Sequence, residues 1–508
     1  MNRSVVALLI ALGTAMLAMP VAACAAELEL DHADFHARLG MRIAARVGPV
    51  APEVSMRAEL TDGAGTTRTV FAKGGRLAAR ETVTLNLRDL PAGDYTLTVS
   101  LSDGRRAVRT WTKPYDGVPA VGIDENNAIC VNGSPLFPVM CKGVGDEREL
   151  RTWLPCINTM KHIGFNKDLY PPEGFRAWLD LAGKYGLKAI GPGRGLYWPN
   201  GGGIYKSATQ RDRRAIPERQ AQYIRVAREH PAFLMYEWKD EPELDNADNC
   251  IYPAEVRRWV DQCHALDTQH PVFCTFGGYG FGRPEDNWMH RHIRSYTYLH
   301  GTLPGGRRLF TDVFSTDYYP IENRNDPKYD VSIENMCLAM DTLRAYNAHL
   351  VPLITCVETC DIRDPDTPAP TPEQLRLLCW ANIIHGAKGI SWFHYFNPTQ
   401  PENLAAMARF KDQVTRLTPA VLAADYAGTI TKREHTGGSV DIKATQSGGD
   451  IYIFAANLRP QAQTVTLTLD VDVTTVTVVD EDRTVALDGR SFTDAFAPLA
   501  VHIYRIGR

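Results

Sequence analysis

Two acidic residues stand where chemistry is easiest to place. Glu241 lies near the end of PAFLMYEWKDEPE (Pro231–Glu243), which starts apolar at Phe233–Tyr236 and runs into a knot of charge, Glu237, Lys239, Asp240 and Glu241, before Pro242 stops it. Glu358 ends a second apolar run, in LITCVETCD (Leu353–Asp361). Carboxylates where a buried strand meets its loop are costly unless they pair or react. Two of them can share the work of breaking a glycosidic bond: one, protonated, helps the leaving group depart, while the other, ionised, attacks or directs water. Each also has a structural reading, Glu241 as a polar strand end beside a helix cap and Glu358 as a surface acid.

These acids need a scaffold that brings distant strand ends together. Between about Phe137 and Leu417 apolar strand-like segments alternate with helical ones. The strand candidates are FPVMCKGV, FNKDLY, LKAIGPG, FLMYEWKDE, VFCTFGG, FTDVFSTDYY, LITCVE and GISWFHYF. Helical periodicity falls at Glu149–His162, Pro172–Tyr185, Glu218–Glu229, Ala254–Leu266, Trp288–Leu299, Ser332–Ala345, Pro372–His385 and Glu402–Leu417. Eight such units over roughly 280 residues fit a (β/α)8 TIM barrel, whose active sites lie at the C-terminal strand ends. On this count Glu241 follows strand four and Glu358 ends strand seven, across the mouth from one another. Asn132-Gly133 marks a tight hairpin just before the first strand. The glycine run Asn200–Lys206 lacks the Gly-Lys-Ser/Thr ending of a phosphate loop and reads as a flexible loop.

The flanks alternate with period two and carry little helical signal, which predicts an N-terminal β-sandwich over 27–120 and a C-terminal one over 418–508, with the catalytic barrel at 121–417. The 508 residues carry 55 basic and 59 acidic side chains, so no basic surplus points to nucleic acid. Residues 1–26 read as an export signal: Arg3, the apolar Val6–Met19, then VAACAA. Cleavage near Ala25 or Ala26 gives a periplasmic or secreted protein, whereas Cys24 in a lipoprotein box gives an outer-membrane lipoprotein. No later segment reads as transmembrane. The 11 cysteines form no dense framework and no metal-ligand spacing, so no cofactor or zinc is expected; Cys356 and Cys360 bracket Glu358 and either bridge or stay free. No nucleophile elbow supports an esterase.

In layout the barrel resembles the large clan of retaining glycoside hydrolases, which place an acid/base Glu after strand four and a nucleophile Glu after strand seven. The clan's Asn-Glu-Pro is matched by Asp240-Glu241-Pro242, NGSPLFPVMCKG (Asn132–Gly143) is similar to its approach to strand one, and GAKGISWFHYF (Gly386–Phe396) to its strand eight. The resemblance implies Glu241 as acid/base and Glu358 as nucleophile. It also implies Asp240 on the neighbouring hydroxyl, Tyr318 or equally Tyr319 on the nucleophile, and Trp392 as a platform under the sugar. Trp198 and His394, with Lys167 and Asp168 at the end of the expected strand two, are mouth residues by position alone. The expected partner is a neutral β-linked oligosaccharide or polysaccharide, cleaved by double displacement. A non-catalytic carbohydrate-binding protein on the same scaffold is the other reading.

Overall fold

The computed structural model describes residues 28–144, 146–161, 172–192, 221–240, 253–277, 309, 311–321, 332–361, 369–394, 398–436 and 438–507. Two compact units divide the chain: one takes the chain up to Asp31 with Ile43–Thr84 and Asp94–Trp111, the other His32–Arg42, Leu85–Gly93 and Thr112–Arg508.

The strands of the N-terminal region form a four-stranded antiparallel sheet, in the order Thr67–Lys73, Met56–Asp62, Gly93–Leu101 and Arg106–Lys113, and a three-stranded sheet of Leu28–His32, Gly40–Val47 and Arg80–Asn86. Period-two patterning is what makes them strands: in Arg80–Asn86 the residues Glu81, Val83 and Leu85 are buried and the four between and around them exposed.

The second unit contains a closed barrel of eight parallel strands. They are β1 (Val139–Lys142), β2 (Thr159–Lys161), β3 (Lys188–Pro192), β4 (Phe233–Asp240), β5 (Val272–Gly277), β6 (Val313–Asp317), β7 (Leu353–Glu358) and β8 (Ala387–Phe393). The eight-strand count therefore holds, and β4 and β7 are the fourth and seventh strands. Met140, Ile190, Met235, Phe273, Val313 and Ile354 share one core with Val121, Ile123 and Ile129 of a small antiparallel sheet that floors the barrel. That sheet turns at Asn132 (φ 49°) and Gly133 (φ 83°), the left-handed pair that an Asn-Gly hairpin requires.

Strand two is not where the sequence placed it. The expected helix Glu149–His162 stops at Trp153 (α1, Glu147–Trp153), a single 3-10 turn follows at Leu154–Cys156, and β2 begins at Thr159. Pro155 cannot continue the hydrogen-bonded helix. Asn158 then clips β2 to β1: its Oδ1 accepts from the Val139 N–H at 2.8 Å and its Nδ2 donates to the Phe137 carbonyl at 2.9 Å. The segment FNKDLY, with Lys167 and Asp168, lies outside the described residues, as does Trp288–Leu299.

The outer helices include α2 (Pro172–Lys184), α3 (Pro253–Leu266), α4 (Ile333–Tyr346), α5 (Pro372–Ile384) and α6 (Pro401–Val421). Ser332 caps α4, and Thr371 with Gln374 forms a capping box on α5. After α6, a four-stranded and a five-stranded antiparallel sheet pool their inner faces in one core that includes Ile453, Leu467, Phe492 and Tyr504. Trp380 of α5 stacks on Phe454 of this region, with centroids 5.6 Å apart. Among the described residues no helix is long and apolar enough to cross a membrane.

Charge is buried beneath the barrel floor. Asp312, just before β6, accepts from His264 of α3 at 2.9 Å and lies 3.7 Å from Arg38. Arg257 of α3 donates to Asp34 at 2.7 Å and to Asp261 at 2.6 Å, and His36 stacks on His264 at 3.7 Å.

Candidate active site

Registered residues of neighbouring parallel strands point to the same side, so facing can be read around the ring. Ile354 lies in the barrel core, hence Cys356 and Glu358, two and four residues on, also face inward. Cys356 registers with Ser391 of β8 and Glu358 with Phe393. On β6, Ser315 registers with Ile354 and Asp317 with Cys356, which sets Asp317 on the inner side too.

Glu358 is thus the inward residue at the C-terminal end of β7. It is fully buried, and its Oε1 accepts the backbone N–H of Ile321 at 2.7 Å, from the segment that follows β6. A charge-assisted bond to a main-chain donor fixes the direction of a carboxylate more firmly than a mobile side chain would. Tyr319, two residues before that donor, packs with Cys356, Cys360 and Phe393, its ring 5.0 Å from that of Phe393. Of the two tyrosines, Tyr319 is therefore the one set among the residues around Glu358; Tyr318 is buried beside it. Cys356 and Cys360 are free thiols, both buried.

Trp392 does not take the place expected for a sugar platform. It registers with Val357, on the outer side of the ring, where its indole donates to the Cys156 carbonyl at 3.0 Å and meets Phe410 of α6 edge-on at 5.7 Å. Its side chain is wholly buried against the helical layer. The aromatic of β8 that points inward is Phe393. The same one-residue parity displaces His394, whose ring packs at a tilt of 54° against Trp153 of α1, centroids 4.2 Å apart, with Nδ1 3.3 Å from Cys141 Sγ. Burial lowers its pKa to about 4, so it is a neutral packing residue beside the outer helices.

The remaining expected residues divide by where they fall. Asp240 is the last residue of β4, its Cα registered with Thr275 of β5. Glu241 is next in the chain; it and Trp198 lie outside the described residues.

One feature of the barrel interior escaped the sequence reading. Lys161 at the end of β2 is fully buried and pairs with Glu237 of β4 at 2.8 Å, its ammonium 4.9 Å from the Phe273 ring centroid. Glu237 was visible only as part of a charge knot, and Lys161 was hidden inside an expected helix. Alternation along Thr159-Met160-Lys161 puts Thr159 and Lys161 on one face, but no local pattern names Glu237 as the partner.

Among the described residues three groups have nitrogen, sulfur or oxygen atoms close enough for a metal: His36, His264 and Asp312; Asp34, Asp261 and His264; and Cys337, His385 and Asp441. Hydrogen bonds and ion pairs already organise all three. His385 reaches Asp341 from Nδ1 at 2.9 Å and Asp441 from Nε2 at 3.0 Å; burial opposes its charge, but the two carboxylates hold its pKa up at about 12. His264 is bridged similarly, between Asp312 and Asp34.

No known family's sequence profile matches the chain, and no curated protein does. Among solved structures it is similar to a Ruminococcus gnavus beta-glucuronidase in complex with uronic isofagomine, at 11% identity over 76% of this chain and 68% of that one, with a TM-score of 0.37. It is also similar to an alpha-amylase from Geobacillus thermoleovorans complexed with acarbose, at 12% identity over 73% and 98% of the two chains and a TM-score of 0.46. A GH30 endoxylanase from Clostridium papyrosolvens gives 12% identity, coverage of 73% and 96%, and a TM-score of 0.45. Likeness this slight carries no weight for activity, and the barrel stands on its own strand pairing.

Proposed function

We propose that the protein is a retaining glycoside hydrolase acting on a β-linked, neutral glycan. The observation that carries this reading is Glu358: an acid at the C-terminal end of the seventh barrel strand, facing inward and held by a main-chain donor. The second support is chain position, since β4 ends at Asp240 and Glu241 follows at once. In this mechanism Glu241 protonates the leaving oxygen while Glu358 attacks the anomeric carbon; Glu241 then deprotonates the water that frees the sugar. Asp240 binds the hydroxyl next to the reacting carbon, and Tyr319 orients the nucleophile. The reading requires the two carboxyls to lie about 5–5.5 Å apart. We further propose that residues 1–26 direct export, a point that mass spectrometry of the native protein settles by finding a chain cleaved near Ala26, a lipidated Cys24, or neither.

Glu358→Gln keeps the shape and loses the nucleophile. Turnover should fall by at least about 10³-fold while sugar affinity survives, in line with loss of a group that acts as covalent nucleophile. Proton NMR of the first product should show retained anomeric configuration. Inversion, or unchanged turnover in Glu358→Gln, sinks the proposal; sugar binding without turnover in the native protein would leave a binding module.

A further inference from the structure

At the floor end of the barrel, away from Glu358, a partly enclosed cavity of ≈ 30 Å³ is lined by Arg42, Asn127, Arg344, Lys388, Lys443 and Asp425, among others. Its walls come from the starts of β7 and β8, from α4 and from the C-terminal sheets. Four fixed or potential cations thus gather around Asp425, and Arg344 also lies 3.8 Å from Asp341 on its own helix. Lys443 lies 3.7 Å from Asp425 and is 11% exposed. Lys388, the second residue of β8, is 7% exposed and makes no hydrogen bond or ion pair among the described residues. Asp124, the next carboxylate in range, is turned to its own loop and accepts the N–H groups of Asn126 and Ala128, each at 2.8 Å.

The arrangement is built into the backbone. Gly386 holds φ +99°, and a Cβ there would lie 2.4 Å from Nε of Arg344. Its absence lets the guanidinium lie against the chain, where Nη1 donates to the His385 carbonyl at 3.1 Å. Charges of one sign gathered in a low-dielectric recess repel unless a counter-charge joins them. The cavity is larger than the space one water needs, about 10–15 Å³ on the same measure. A monatomic anion fits inside, and an oxyanion can enter with its far side towards solvent.

We propose that this cavity is a binding site for a small inorganic anion, chloride or phosphate, held by Lys388, Lys443, Arg42 and Arg344. Burial and then the neighbouring Lys443 push the Lys388 pKa well down, so the bound anion also secures the proton on Lys388. The anion ties the barrel floor to the C-terminal sheets.

Thermal unfolding of the full-length protein tests this at fixed ionic strength, with gluconate replaced stepwise by chloride or by phosphate. The native protein should gain several degrees in Tm, saturating in the millimolar range. Lys388→Met, which keeps the apolar stem, should melt above the native protein in gluconate, because the cost of burying a polar amine is gone, and should not respond to either anion. Lys443→Gln should weaken the response. Saturation with phosphate alone identifies an oxyanion site and saturation with both a general one. No saturable shift in the native protein, or an equal shift in Lys388→Met, overturns the proposal.

Discussion

Trp392 shows how much hangs on the parity of one residue. An aromatic near the end of the eighth strand invites a sugar-binding role, yet its indole is committed to Cys156 and Phe410 on the outer side. Its removal should therefore cost stability and not substrate affinity. Trp392→Ala should lower the unfolding free energy by about 3–5 kcal/mol, as for other large buried aromatics. Trp392→Phe keeps the packing on Phe410 and leaves the Cys156 carbonyl without its donor, for a loss of about 1–2 kcal/mol. Denaturant midpoints measure both. A variant with native stability and a raised KM would restore the platform role and contradict the outward placement.

At the level of elements, the interior of the barrel couples strands that are distant in sequence. Lys161 and Glu237 join β2 to β4 across β3, beneath the mouth. Breaking a buried pair from one side strands the other charge. Lys161→Met should thus destabilise the protein by about 3–5 kcal/mol, whereas Lys161→Met with Glu237→Leu should recover most of the loss. Chemical denaturation of the two variants and the native chain completes the comparison. Equal losses in the single and double variants would mean that the pair is not what holds β2 and β4 in register.

For the molecule as a whole, the charged cluster under the floor sets a pH window. His264 faces Asp312 and Asp34, with Asp261, Arg257, Arg38 and His36 around it. Burial disfavours its charge, but Asp312 and Asp34 outweigh that and raise its pKa to about 9. A histidine raised on folding contributes stability that is full below its unfolded value of about 6.5 and is lost as pH climbs through 9, on the order of 3 kcal/mol. His36 works in the other direction. Burial first, then the charge on His264, lower its pKa to about 4, so the unfolded chain binds that proton more readily and stability falls as pH drops from about 6.5 towards 4. Together they place the stability maximum of this cluster near pH 6.5. Urea midpoints from pH 4 to 10 should fall on both sides of it. His264→Gln should flatten the alkaline limb, and an unchanged limb in that variant would show that the charge of His264 is not its source.

Periodicity alone carried the architecture a long way. Alternating apolar runs and helical stretches led to the count of eight barrel strands and to the position of every one but β2, because a strand buried on both faces is short and mostly apolar. Asn132-Gly133 announced its hairpin for an equally local reason, the left-handed backbone that this pair tolerates. Glu358 was readable too, as an acid that ends an apolar strand. What the sequence left open were matters of phase and of distance. Pro155 and Asn158 moved β2 ahead of its expected position, and only the register of β7 against β8 turned Phe393 inward and Trp392 out. The Lys161–Glu237 pair and the basic recess at the floor join residues far apart along the chain, and no local pattern marks such partners. Period two tells that neighbours face opposite ways; which of them faces the barrel axis is decided by hydrogen bonding to the next strand, and that is fixed only when the ring closes.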